Sequence, residues 1–186
     1  MTNRNLLVKG IEVIGILFAA FGGFLVGIAP PQAGDAKFAV GISSFLALIV
    51  LFTIVSLAKK KHRKLWIIAG LCLFVIAIAA AYYYKSVNDE LTFEYPPGNN
   101  RVEHIAGIQK TEQAQKYAND HQGISNAQLL AKFGGLENKG KVWPDDSVNT
   151  ARRKLISSYV ILVLAIAGSI FALIEGALGV GPTRRS

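Results

Sequence analysis

Four apolar runs fill nearly half of this 186-residue chain: Ile11 to Ala29, Phe38 to Ala58, Leu65 to Tyr84 and Leu155 to Val180. Each reaches the roughly 20 residues with which an α-helix crosses about 30 Å of hydrocarbon. A soluble core helix of that length would carry a polar stripe, and these carry none. A membrane β-barrel needs shorter, alternating segments, and alternation is absent. The sequence therefore predicts an all-α polytopic membrane protein with four transmembrane helices, at about 11–29, 38–58, 65–84 and 155–178.

Orientation follows from Lys and Arg in the short connections. The block Lys59-Lys60-Lys61-His62-Arg63-Lys64 carries five such charges and no acid. Arg4 and Lys9 precede the first run, and Arg184 and Arg185 follow the last. Four crossings place all three segments on one side, expected to be the cytoplasm. Pro30 to Lys37 and the long segment Lys85 to Lys154 then lie outside. One feature runs against this: Arg152-Arg153-Lys154 flank the outer end of the last run. Long loops translocate largely regardless of charge, so the compact block decides.

Charge and cysteine content narrow the class further. The net charge is +8, yet the long segment holds ten basic and nine acidic residues and is nearly neutral. The excess positive charge sits on the expected cytoplasmic face. There Lys59, Lys60, Lys61, Arg63 and Lys64 suit anionic lipid headgroups, at about 1 kcal/mol per charge. The positive-inside bias explains this cluster without nucleic acid as a partner. Cys72 is the single cysteine, so the long segment is not a disulfide-stapled ectodomain. It also has no Asn-x-Ser/Thr acceptor. These features point to a bacterial inner membrane with residues 85–154 in the periplasm and both termini in the cytoplasm. Glu12 and the length of the first run favour a retained helix over a cleaved signal.

Residues 85–143 read as a small helical cap. Asn100 with Glu103 is spaced as a capping box that would open a helix from about Arg101 to Asn119, with Val102, Ile105, Ile108, Ala114 and Tyr117 on its apolar face. Ser125 with Gln128 is a second such box, opening a short helix with Leu129, Leu130 and Phe133 that Gly134-Gly135 stops. Pro144-Asp145-Asp146 suits the first turn of a helix that runs on into the last span. Trp66, Tyr83 and Trp143 are expected as aromatic anchors at the membrane–water interface.

Small residues recur every four positions in two runs: Gly15, Ala19, Gly23 and Gly27 in the first, and Gly168, Ala172 and Gly176 in the last. Such faces let a second backbone approach closely in lipid. They pack the four helices together, join subunits, or do both, and two of them in so small a bundle point to a homo-oligomer. Glu12 and Glu175 are intramembrane acids within one to two turns of the cytoplasmic end. Acids there line a polar path, or snorkel and pair. Ser43, Ser44, Thr53, Ser56, Ser157, Ser158 and Ser169 bond back to their own helices or line a pore.

Catalytic constellations are absent from the pattern. His104 and His121 stand apart with no Cys or acidic cluster at ligand spacing, so no metal is expected. Asp145 and Asp146 read as first-turn residues. Cys72 at lipid depth is inert. No phosphate-binding glycine loop or cofactor motif occurs. A short outer loop, a short inner loop, a large outer loop and two inner tails resemble the layout of tetraspanins. The Cys-Cys-Gly motif and paired cysteines of that family are missing, so the likeness is of layout alone and no functional residue carries over. The expected function is a non-enzymatic, oligomeric inner-membrane protein that binds a partner through its periplasmic cap or basic cytoplasmic loop. The alternative is a pore-forming or permeability protein, switched by a partner.

Overall fold

A computed structural model describes residues 30–31, 35–57, 63–96 and 101–178. Of these, 79% are helical. The elements run α1 (Ala36–Leu57), α2 (Arg63–Leu91), β1 (Thr92–Tyr95), β2 (Val102–Ile105), α3 (Glu112–Asp120), α4 (Asn126–Lys132), a 3-10 turn (Leu136–Asn138), α5 (Lys139–Val142) and α6 (Asp145–Leu178). Among the described residues, α1, α2 and α6 are long and apolar enough to cross a membrane. The first apolar run lies outside the described residues.

Packing divides the chain into two units. The described part of the first is residue 30 with 37–57, 63–83 and 159–178. Here α6 is the most enclosed element, with 39% of its most apolar stretch buried against 17% in α1 and in α2. Phe38, Phe45 and Phe52 stand seven residues apart on α1 and are all exposed. Exposed aromatic and aliphatic side chains along a span suit hydrocarbon rather than water.

The second unit comprises Pro31–Ala36 and Tyr84–Ser158. Its main core gathers Ala106, Ala114, Leu129, Leu130, Val142 and Trp143, with Phe93, Tyr117 and Phe133 packed against it. A second cluster joins Val87 and Leu91 of α2, Ile105 of β2, and Ala151 and Leu155 of α6. Asp35 pairs with Arg152 at 2.7 Å, and Lys154 with Glu90 at 3.8 Å. Two of the three basic residues that run against the charge bias thus sit beside carboxylates of their own unit.

The expected helix from Arg101 to Asn119 forms only in its second half, Glu112–Asp120, and the cap is not all-α. Val102–Ile105 is a strand, paired antiparallel with Thr92–Tyr95 in the register Thr92↔Ile105 to Tyr95↔Val102. The physical reason lies on both sides of Pro96-Pro97-Gly98-Asn99-Asn100. Thr92-Phe93-Glu94-Tyr95 and Val102-Glu103-His104-Ile105 are rich in β-branched and aromatic residues, and a turn-rich sequence separates them. Glu103 faces Glu94 across the hairpin and does not reach back to cap a helix at Asn100. Gly107 then closes the segment. A Cβ there would stand 2.7 Å from both Trp143 Cβ and Ser147 Oγ, so only glycine lets the chain pass.

The helix that does form begins at Thr111, whose hydroxyl accepts from Ala114 N at 3.3 Å. Ser125 and Gln128 form the capping box that their spacing predicts. α6 starts at Asp145 and continues without a break to Leu178.

Candidate functional site

The α3–α4 corner builds an open pocket on the second unit. Ala114 and Tyr117 are three residues apart, so both lie on the inner face of α3. Ala114 is fully buried. Tyr117 meets Phe133 edge-on, with centroids 6.0 Å apart. His121 caps the helix, and its backbone N–H donates to Tyr117 O at 3.1 Å. Its ring Nδ1 lies 3.0 Å from the same carbonyl. A carbonyl only accepts, so the geometry selects the ring form with the proton on Nδ1. The imidazole is thereby laid flat on Tyr117, with centroids 4.0 Å apart and planes 16° apart.

Gly123, at φ +85°, turns the chain back toward α4. Ser125 caps that helix, and Leu129 and Leu130 face the core. Lys132, one turn after Gln128, brings its Nζ to 5.8 Å from the Tyr117 ring centroid. Tyr117, His121, Gln122, Gly123, Ile124, Gln128 and Lys132 then line an open pocket of about 630 Å³. The lining combines aromatic and apolar surface with amide, imidazole and ammonium groups, and it contains no carboxylate.

The sequence-predicted residues are distributed differently. Gly15, Ala19, Gly23, Gly27, Glu12, Lys59, Lys60 and Lys61 lie outside the described residues. Gly168, Ala172 and Gly176 pack inside the first unit. A Cβ on Gly176 would lie 2.6 Å from Ile67 Cγ1 and 3.0 Å from Ile67 N, and one on Gly168 3.3 Å from Leu73 Cδ1. Ala172 is fully buried. Ser169, on the same helix, donates to Gly70 O at 2.9 Å. This face is filled by its own chain.

Arg63 is not a free headgroup ligand. Its Nε and Nη2 donate to the carbonyl oxygens of Gly176 and Ala177, at the C-terminal end of α6. A cation among unpaired terminal carbonyls is where the helix dipole favours it. Lys64 is exposed, and Glu175 is half-buried beside Gly176. Ser43 donates to Ala39 O, Thr53 to Ile49 O and Ser158 to Leu155 O, so each bonds back to its own helix.

Trp143 is a correction to the expected interface anchors. At 1% exposure it is enclosed by protein, 5.4 Å from the Phe93 ring, and no face of it is left for headgroups. Hydropathy alone does not separate an aromatic ring that seals a core from one that floats at an interface. Tyr83 is exposed, and Trp66 is half-buried, its indole nitrogen without a partner among the described residues.

His104 meets Phe93 and Tyr95. Among the described residues, no three His, Cys, Asp or Glu side chains converge as a metal site. Near the core, Lys139 is held below the ordinary lysine value, first by burial and then by Arg152, with Asp145 opposing. In the sequence Tyr117 stands out only as an apolar position and His121 only as an isolated histidine without metal-ligand spacing. Their four-residue spacing was the available signal for stacking. Comparison of the chain with protein families, characterised proteins and solved structures finds no match.

Proposed function

We propose that the chain is a non-enzymatic protein of the bacterial inner membrane that holds its second unit outside the cytoplasm as a docking module for a protein partner. The observation that carries this reading is the unit's own sealed core around Trp143, with an open pocket on its surface that the core does not fill. A segment serving only to connect two spans needs neither. The five positive charges of residues 59–64 support the orientation, with Lys59, Lys60, Lys61 and Lys64 meeting anionic lipid.

Copies of the chain associate through the remaining small-residue face, Gly15, Ala19, Gly23 and Gly27. The occupation of the Gly168–Gly176 face by Ile67 and Leu73 supports that assignment by leaving the first run as the other candidate.

The test has two arms. Reporters fused after residues 61 and 104 read orientation, with the first expected inside the cell and the second outside. The mass of the chain in mild detergent reads association, with an oligomer expected that Gly23→Leu reduces to a monomer. A cytoplasmic reporter at 104 ends the docking reading. Dye release from liposomes holding the pure chain would favour a pore instead.

A further inference from the structure

We infer that the pocket between α3 and α4 is an anion-selective docking point for a carboxylate-bearing segment of the protein partner; the inference rests on the function proposed above. Gln128 Oε1 is occupied, accepting from Ser125 N at 3.0 Å and Ser125 Oγ at 3.1 Å. Its amide nitrogen, a donor, has no partner among the described residues. His121 Nδ1 is occupied by Tyr117 O. Its Nε2 is left, an acceptor in the ring form that the Tyr117 carbonyl selects.

Lys132 Nζ makes a cation–π contact with Tyr117. It has no carboxylate at ion-pair distance among the described residues. The capping box therefore uses the Gln128 acceptor and leaves its amide N–H, beside the Lys132 ammonium, as donors on the pocket wall. Neither Glu112 nor Asp120 of α3 lines the pocket.

A group with two oxygens and a negative charge matches that remainder. Bonds from Lys or amide N–H to a carboxylate are charge-assisted and roughly twice as strong as neutral ones. Ile124 and the Tyr117–His121 stack supply apolar surface alongside, which suits a carboxylate carried on an aliphatic side chain or chain end. Complementary charge of this kind sets which partner docks and how fast.

The experiment titrates the full chain in nanodiscs of neutral lipid with fluorescent peptides. One peptide carries alternating Glu and Leu, and its twin carries Gln in place of Glu. The acidic peptide is expected to bind and the Gln twin to bind at least tenfold more weakly. Lys132→Gln is expected to weaken the acidic peptide at least fivefold. Lys116→Gln, an exposed α3 lysine outside the lining, leaves it unchanged. Thermal melts of each variant confirm that the unit is folded.

Equal binding of the two peptides, absence of acidic-peptide binding, or an equal effect of Lys116→Gln would overturn the inference. Displacement of the peptide by free acetate at the peptide's own concentration would also overturn it, because the site would then take small carboxylates rather than a segment. These outcomes are independent of the residue-104 reporter, so the docking site and the orientation fail separately.

Discussion

Ser169 on α6 donates its hydroxyl hydrogen to the carbonyl oxygen of Gly70 on α2 across 2.9 Å, and both residues are buried. The bond forms because Gly70 has no side chain. A Cβ there would lie 2.6 Å from Leu173 Cγ and 3.1 Å from Leu173 N. The two contributions differ in size. Interhelical hydrogen bonds within membranes average about 0.6 kcal/mol. Forcing a branched side chain into a closed helix contact costs about 1–3 kcal/mol. Ser169→Ala is therefore expected to lower stability slightly and Gly70→Val severely, in unfolding of the purified chain by a graded denaturing detergent. Gly41→Ala is the control, since nothing lies within 4 Å of its Cβ position. Equal losses at all three positions would remove close backbone approach as the organising contact.

Arg63 at the start of α2 holds the last carbonyls of α6, and this bears on how the basic block is divided. Hydrogen bonds from a charged donor at a partly exposed helix end are worth about 1 kcal/mol. Arg63→Gln is expected to lower the denaturation midpoint of the chain and to leave binding to anionic vesicles largely intact. Lys64→Gln should do the reverse. Lys fits poorly at position 63, because one ammonium does not reproduce the guanidinium fork. Vesicle flotation and detergent denaturation of Arg63→Gln, Arg63→Lys and Lys64→Gln separate the roles.

How far the sequence foretold the fold depends on which forces act locally. Hydropathy located α1 to within two residues at each end, and fell ten residues short of the start of α6 at Asp145, which Pro144-Asp145-Asp146 marked instead. It stopped α2 at Tyr84 where the helix reaches Leu91. The extra turns are polar in composition. They hold together because Val87 and Leu91, one turn apart, enter the same cluster as Ile105 and Ala151, a contact no local window contains. The hairpin was hidden by competing signals, since Asn100 and Glu103 have cap spacing while the strands are four residues long. The Ser125–Gln128 box was legible because both of its bonds are local. The candidate pocket was not, because Lys132 meets Tyr117 only after the chain turns at Gly123.

The hairpin offers its own check. Glu94 and Glu103 stand directly opposite each other, and Glu94 also meets Arg101 at 3.0 Å. Like charges across an antiparallel pair are unfavourable, and opposite ones contribute roughly 0.2–1 kcal/mol. Glu103→Lys is expected to raise the stability of the second unit by that order, read as slower proteolysis between residues 92 and 105. A helix starting at Arg101 would give no such gain.

Lys139 fixes a pH dependence with a definite sign. Burial lowers its pKa in the folded chain, Arg152 adds to the effect and Asp145 opposes it. Between that lowered value and the ordinary one, the unfolded chain binds more protons than the folded chain, so stability rises with pH across the window. Below the window both states are protonated, and the folded state carries the full cost of a half-buried ammonium. Lys139→Met is expected to be more stable than the parent at neutral pH, with the advantage shrinking as pH approaches 10.5. Urea midpoints followed through Trp143 emission, in a Trp66→Phe background, measure both. A constant gap between the two proteins would sink the assignment.

The same background distinguishes a core tryptophan from an interfacial one. Trp143 is 1% exposed among Leu129, Leu130 and Val142, and its ring lies over Gly107. Truncating a buried tryptophan to alanine costs about 3–5 kcal/mol, comparable with the whole stability of many small domains. Trp143→Ala is therefore expected to open residues 92–142 to protease while α1 and α2 stay protected in the bilayer. Trp143→Phe, which keeps an aromatic ring, should lose much less. In the parent chain the Trp143 emission should be blue-shifted and indifferent to brominated lipid, because the ring touches protein on every side. An interfacial ring would be quenched by such lipid, and its loss would leave residues 92–142 resistant to protease.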